Sequence, residues 1–317
     1  MQMIFFLLRQ MLNFSVPLML VALGGMFSNR SGIMNIGLEG IMVFGAFVSV
    51  LFLRLTRDTM SGQAQLLIAI ILAVVAGMTI SLFHALASIN LKADQSISAQ
   101  AINSFATAFS MFSARLIIGE SRMEFKNTFI LEKVPFLGDI PVIGDILFTK
   151  AYIITYLSVG IYLLSAFVLY HTRFGLRLRA CGEFPQAADS VGINVARMRY
   201  AGVLISGALA GLGGLAFVIP NATNFNGSVS GYGFMALGIM ILGHFTPSKI
   251  LISSLVFSIA MTISSTYSAI PLLNNLGIAA NYYKMAPYLL TLVVLLFSNH
   301  GGKGPKAAGQ PYEKGMR

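Results

Sequence analysis

Apolar residues fall in unbroken blocks along this chain, without the stripes of an amphipathic helix or strand. The blocks cover residues 14–27, 33–53, 66–89, 151–170, 203–220, 250–263 and 285–298. About 20 apolar residues span the roughly 30 Å hydrocarbon layer of a bilayer at 1.5 Å per residue. The pattern therefore predicts an all-α fold, a polytopic transmembrane helical bundle with about eight or nine crossings and ten at most. A β-barrel is excluded, because its strands alternate with period 2. Residues 1–12 read either as a short interfacial helix or as the start of a long first span. No basic segment precedes their apolar run and no small-residue cleavage site follows it, so no removable signal peptide is expected.

Polar interruptions set the topology. Segment 120–150 balances Glu120, Glu124, Glu132, Asp139 and Asp145 against Arg122, Lys126, Lys133 and Lys150. Segment 171–199 carries Arg173, Arg177, Arg179, Arg197 and Arg199 against Glu183 and Asp189, and the end of the chain carries Lys303, Lys306, Lys314 and Arg317 against Glu313. Cytoplasmic loops collect Lys and Arg. The reading is one transmembrane domain over 1–300, with an external loop at 120–150, a cytoplasmic loop at 172–199 and a basic cytoplasmic tail at 301–317. Parity agrees: apolar segments near 200–219, 232–246, 250–267 and 285–299 make four crossings between the basic loop and the basic tail.

Composition sharpens this. The chain of 317 residues is 56% hydrophobic and 10% charged, against about 25% charged in a soluble domain. Of its 32 charged residues, 21 fall in those three polar segments, so the net charge of +10 records topology and gives no reason to expect a nucleic-acid partner. The bilayer itself is the expected surroundings. The single Cys181 has no partner in the chain for a disulfide.

Two stretches read as broken helices. Residues 28–40 place glycines, Asn29, Asn35 and Glu39 between apolar runs, and residues 221–233 are similarly polar and glycine-rich. Non-helical backbone at membrane depth persists only where protein or a water-filled cavity satisfies it, and transporters place their substrate paths at such breaks. The first reads as part of a solute path; the second reads equally as path or external loop. Glu39 stands out, since an ionisable side chain in an apolar stretch is costly. It serves a solute, or it caps the N-terminus of a half-helix. Asn35, Gly37, Asn103, Asn221 and Asn224 are further path candidates, with interhelical hydrogen bonding as the plainer role of each asparagine. Gly207, Gly211 and Gly214 form a small-residue face for close helix packing.

Catalytic patterns are missing from the sequence. His84, His171, His244 and His300 are scattered, and a lone histidine in a membrane is usually a satisfied core residue or an interfacial one. Gly302-Lys303 lacks the upstream glycine of a phosphate-binding loop. The chain is not expected to be an enzyme, to bind a metal or cofactor, or to hydrolyse ATP by itself. In the basic loop, residues 174–185 read as strand or coil and 186–191 as a short helix, with Pro185 at its first turn and Gly192 just past its end. Such a helix is too short to stand alone in water, and Ala187 and Ala188 suit it to a groove on a partner.

Gly25-Met-Phe-Ser-Asn-Arg-Ser-Gly-Ile-Met-Asn-Ile-Gly-Leu-Glu-Gly40 resembles the signature of the permease subunits of bacterial nucleoside ABC importers. Those belong to a wider family that also serves ribose, other simple sugars and branched-chain amino acids. The run from Gly175 to Asn194 is similar to the same family's Gly-Glu-x-Pro-x-Ala-Ala-x-x-x-Gly-Ile segment, and Asp139-Ile-Pro-Val-Ile-Gly-Asp-Ile-Leu-Phe148 resembles the external loop of the nucleoside branch. The resemblance implies a multi-pass protein of the bacterial cell membrane. It also implies three partners: a second permease subunit, with this chain suited to be the shorter member of a heterodimeric pair, a cytoplasmic ABC ATPase carrying ATP and Mg, and an extracellular substrate-binding lipoprotein. The helix at 186–191 would be the coupling helix seated in the ATPase, with Gly182, Glu183, Ala187, Ala188 and Gly192, beside Arg177 and Arg179, passing on nucleotide-driven closure. A permease for ribose or another sugar, and an ion-coupled secondary transporter using Glu39, are the alternatives.

Overall fold

In a computed structural model, which describes residues 2–60, 62–135, 138, 140, 143–276, 278–297 and 304–313, the first apolar block extends back almost to the start of the chain. Helix α1 runs Gln2–Arg30 with Pro17 inside it, so residues 2–12 begin the first span. Every residue from 14 to 29 is buried, which makes α1 a central helix. After a non-helical break at 31–37, α2 (Leu38–Leu55) and α3 (Gln63–Ala85) follow, the latter prolonged by a π-type turn at Leu86–Asn90. Helix α4 (Gln95–Ile118) is capped by Asp94, whose carboxylate accepts the amides of Ser96 and Ile97, and ends at Gly119 in the left-handed conformation.

The loop at 120–150 is ordered by short strands. It holds β1 (Met123–Glu124), β2 (Ile130–Lys133), α5 (Ile143–Leu147) and β3 (Thr149–Tyr152), with β2 antiparallel to β3. Asn127 fastens the loop to the bundle by donating to the Ile219 carbonyl at 2.8 Å. Within the third sequence motif, Asp139, Pro141 and Val142 lie outside the described residues, as do His300, Lys303, Lys314 and Arg317 near the end of the chain.

Helix α6 (Ile153–His171) carries the chain to the opposite end of the bundle, where α7 (Arg173–Glu183) and α8 (Pro185–Ser190) lie. Helix α9 (Val195–Asn221) returns to the strand end, where β4 (Asn224–Phe225) pairs antiparallel with β1. The chain ends with α10 (Tyr232–Leu242), α11 (Pro247–Thr266), α12 (Pro271–Asn274) and α13 (Ala280–Phe297).

Among the described residues seven helices are long and apolar enough to cross a membrane: α1, α2, α3, α4, α6, α9 and α11. Segment 232–246, expected as a full crossing, is helical only over the 11 residues of α10, about 16 Å at 1.5 Å per residue. It is preceded at 222–231 by non-helical chain that holds β4. The glycine face of α9 packs as its spacing predicts. A Cβ on Gly211 would lie 2.3 Å from the Ala73 carbonyl oxygen and one on Gly214 2.0 Å from that of Met42. Backbone approach of that kind is how helices associate where lipid removes the hydrophobic drive.

Candidate functional site

The break between α1 and α2 is held by side chains from three other helices. Asn35, fully buried, accepts the Gly37 amide at 3.0 Å and donates to the Ser206 hydroxyl on α9 at 3.1 Å. Asn103 of α4 accepts the Gly40 amide at 2.7 Å and donates to the Ile36 carbonyl and to Gln100, both at 3.3 Å. Gln95 accepts the Met34 amide at 2.6 Å. His84 lies between the Met34 carbonyl and the Ser98 hydroxyl, at 3.2 and 3.1 Å. A carbonyl can only accept, so Nε2 donates to Met34, while Nδ1 shares a hydrogen bond with the Ser98 hydroxyl, and both ring nitrogens are satisfied. The backbone groups freed by the break are thus met by protein.

Glu39 projects from the first turn of α2 to the start of α10, 192 residues away in sequence. Its Oε1 accepts the Gly231 amide at 2.9 Å and its Oε2 the Gly233 amide at 2.6 Å. Gly231 takes φ +78°, and a Cβ on Gly233 would lie 2.4 Å from the Glu39 backbone. The carboxylate therefore sits on the positive end of the half-span α10, with a side chain that remains partly exposed. Asn35, Gly37, Glu39 and Asn103 converge here. Asn221 and Asn224 do not join them: Asn221 donates to the Phe217 carbonyl within α9 and Asn224 pairs with Glu124 at the strand end.

A neighbouring feature escaped sequence reasoning. Ser96, Gln100, Ser104 and Thr107 lie at i, i+4, i+8 and i+11 on α4 and all are exposed, although α4 is a candidate span. Their stripe adjoins the break through the Gln100–Asn103 bond. Around the helix from it stand Phe105, Phe109 and Phe112. The first two are stacked with centroids 5.3 Å apart, and Phe109 also meets Phe44 at 5.7 Å. Beyond them, an apolar cavity of about 690 Å³ opens between α3 and α4, lined by residues such as Ile80, Phe83, Ala101 and Phe105. Counting polar residues at helical period through 95–118 is the signal that finds the stripe.

At the other end, residues 173–183 are helical where strand or coil was expected. Thr172 caps α7 by accepting the Gly175 amide at 3.2 Å, and Leu178 and Cys181 bury its inner face. Gly182 is pressed on α1: a Cβ there would lie 2.3 Å from the Arg30 carbonyl oxygen. Burial pushes the Cys181 thiol up to about 11, so it stays protonated and inert at neutral pH. Pro185 opens α8 and Gly192 follows it at φ +82°. Ala187 is exposed, whereas Ala188 is buried against Cys181 and Val195 and so is not available to a partner's groove. The exposed apolar residues that sequence reasoning missed here are Leu176, Phe184 and Val191. Glu183 pairs with Arg30 at 3.7 Å, and Arg30 donates to the Phe245 carbonyl beyond α10. Arg177 is exposed, and Arg179 lies over the Tyr170 ring at 5.3 Å.

Comparison with known proteins gives this arrangement a context. Residues 7–296 match the family described as branched-chain amino acid transport system / permease component. The chain is 43% identical over 308 residues to the guanosine ABC transporter permease protein NupQ of Bacillus subtilis, covering 96% of each chain. It is 39% identical over 309 residues to the nucleoside ABC transporter permease protein NupC of Lactococcus lactis, covering 97% of this chain and 96% of that one. A putative glucose ABC transporter permease protein of Haloferax volcanii is 26% identical over 311 residues, 92% of this chain and 91% of its own.

Proposed function

This chain belongs to the branched-chain amino acid transport system / permease component family, and on that premise we propose that it forms the translocation path of an ATP-driven importer for nucleosides. The observation that carries the reading is its similarity to two permeases named for guanosine and for nucleosides, which runs through 96% or more of this chain. The glucose relative is more distant at 26%, which favours nucleosides over sugars.

The path follows from the physics of α4. Ser96, Gln100, Ser104 and Thr107 do not gain by facing lipid, where unsatisfied polar groups are costly, so they line water. The stripe leads to the bond between Asn103 and the Gly40 amide, next to Glu39 in the chain. There it offers hydroxyl and amide groups to a ribose and base edges. Glu39 anchors the half-span α10, so the same carboxylate that fixes the wall also borders the solute. No step of ATP chemistry is assigned to this chain: a separate ATPase supplies it, and the exposed surface of Leu176, Phe184, Ala187 and Val191 is its seat. A second permease chain and a substrate-binding lipoprotein complete the importer.

The test is uptake of radiolabelled guanosine, ribose and leucine in cells lacking their own importers for these solutes and expressing this chain with its neighbouring genes. Guanosine uptake that disappears when the ATPase's phosphate-loop lysine is replaced is the expected result. Uptake of ribose or leucine alone, or guanosine uptake by this chain alone driven by an ion gradient, overturns it.

A further inference from the structure

Residues 304–313 do not hang free of the bundle; they cross its α7–α8 end in close contact with five separate parts of it. The Ala307 amide donates to the Gly182 carbonyl at 2.9 Å, filling an acceptor left open at the end of α7. Gly304 lies against the Phe245 ring, and Gly309 against the Met34 methyl at the mouth of the α1–α2 break. Tyr312 packs on the cluster of Cys181, Ala188 and Val195, which joins α7, α8 and α9. Glu313 pairs with Lys92 in the turn before α4.

Arg199 gives the crossing its meaning. It is among the largest fully buried side chains of the protein, 2% exposed. Its Nη1 donates to the Gln310 carbonyl at 3.1 Å, and its guanidinium lies over the Tyr312 ring at 5.9 Å. Its Nε and Nη2 have no hydrogen-bond acceptor among the described residues, and no carboxylate pairs with it there. On its other side sits Gly32 of the break, where a Cβ would lie 3.0 Å from Nη2. A buried cation with so few partners is expensive to keep, and those it has come from the crossing segment. The guanidinium is thus clamped between the break that leads to Glu39 and the segment that packs on α8.

We propose that residues 304–313 form a strap that couples α8 to the α1–α2 break, with Tyr312 and Arg199 as the positioning residues of the linkage. Movement of α8 carries Tyr312 with it, Tyr312 and Gln310 carry Arg199, and Arg199 bears on Gly32 and, through α9, on the Ser206–Asn35 bond. The strap thereby joins the ATPase seat to the solute path within one chain. The inference rests on the reading of α8 as that seat, and the test separates the two.

The assembled importer, reconstituted in vesicles with its ATPase and binding protein, is assayed for nucleoside uptake and for ATP hydrolysis in the same preparation. Tyr312→Leu fills much of the space but offers no ring to Arg199. It is expected to lower uptake about tenfold, within the usual range for loss of coupling between sites, while hydrolysis continues and the complex stays assembled. Tyr312→Phe keeps the ring over Arg199 but loses the hydroxyl's hydrogen bond to Asp189 of α8, and is expected to retain more uptake than Tyr312→Leu. Val191→Asp, just past the end of α8, is expected to remove the ATPase from the complex. Equal loss of uptake and hydrolysis in Tyr312→Leu, or uptake unchanged in it, overturns the strap while Val191→Asp still disrupts assembly. Full assembly and uptake in Val191→Asp overturns the seat itself, and the strap with it.

Discussion

Glu39 shows how one side chain ties two distant parts of the fold together. A carboxylate at membrane depth is tolerable here because two backbone amides at a helix N-terminus receive it, at 2.9 and 2.6 Å. Hydrogen bonds to a charged group contribute about 1.5–3 kcal/mol each way of counting, so Glu39→Gln is expected to cost ~2 kcal/mol by removing the charge and turning an NH₂ toward an amide donor. A lower thermal midpoint in detergent together with lost uptake checks this; a variant as stable and active as wild type contradicts it. The residue and its capping role were legible, because an acid flanked by glycines in an apolar run has few physical options. Its partner was not, since Gly231 and Gly233 lie 192 and 194 residues away and no local pattern links them. His84 was legible only as a core or interfacial histidine; that it is buried, with the Met34 carbonyl and the Ser98 hydroxyl as partners, comes from the structure.

Among the elements, α9 and α4 mark the two limits of reading by pattern. The glycines of α9 announce close packing because nothing else explains three small residues on one helical face, and the structure seats them on α3 and α2. Gly214→Leu is expected to keep the chain from accumulating in the membrane, because its Cβ alone would meet the Met42 carbonyl oxygen at 2.0 Å. Gly160→Leu on α6, where a Cβ meets nothing within 4 Å, is expected to accumulate normally. Membrane immunoblots of the two variants check the contrast, and equal levels contradict it. Helix α4 stayed hidden for the reason that makes it interesting. Its serines, threonine, glutamines and asparagine dilute its hydropathy, so it forms no apolar block, yet Ser96, Gln100, Ser104 and Thr107 share one exposed side and Phe105, Phe109 and Phe112 another. The α7 helix was misread because glycines at 175 and 182 suggest coil, while in the structure they let α7 press on α6 and α1.

For the molecule as a whole, block lengths and charge asymmetry were enough to give a polytopic helical bundle with two polar loops at opposite ends. What they could not give is how distant segments close on one another. The β1–β4 pairing ties the 120–150 loop to the entrance of α10. The segment 304–313 reads as a simple basic tail until its contacts with Gly182 and Arg199 are seen. These contacts join the α7–α8 end to the break between α1 and α2. The central claim is that the stripe faces the solute. It is tested most directly by placing single cysteines at Gln100, Ser104 and Thr107, and at Phe112 and Leu116, in a Cys181→Ser background. The assembled importer is then exposed to a charged, membrane-impermeant thiol reagent with and without nucleoside under turnover. The account predicts rapid labelling at the three polar positions, slowed by nucleoside, and little at the two apolar ones; polar positions that stay unlabelled, or label at a rate nucleoside does not change, contradict it.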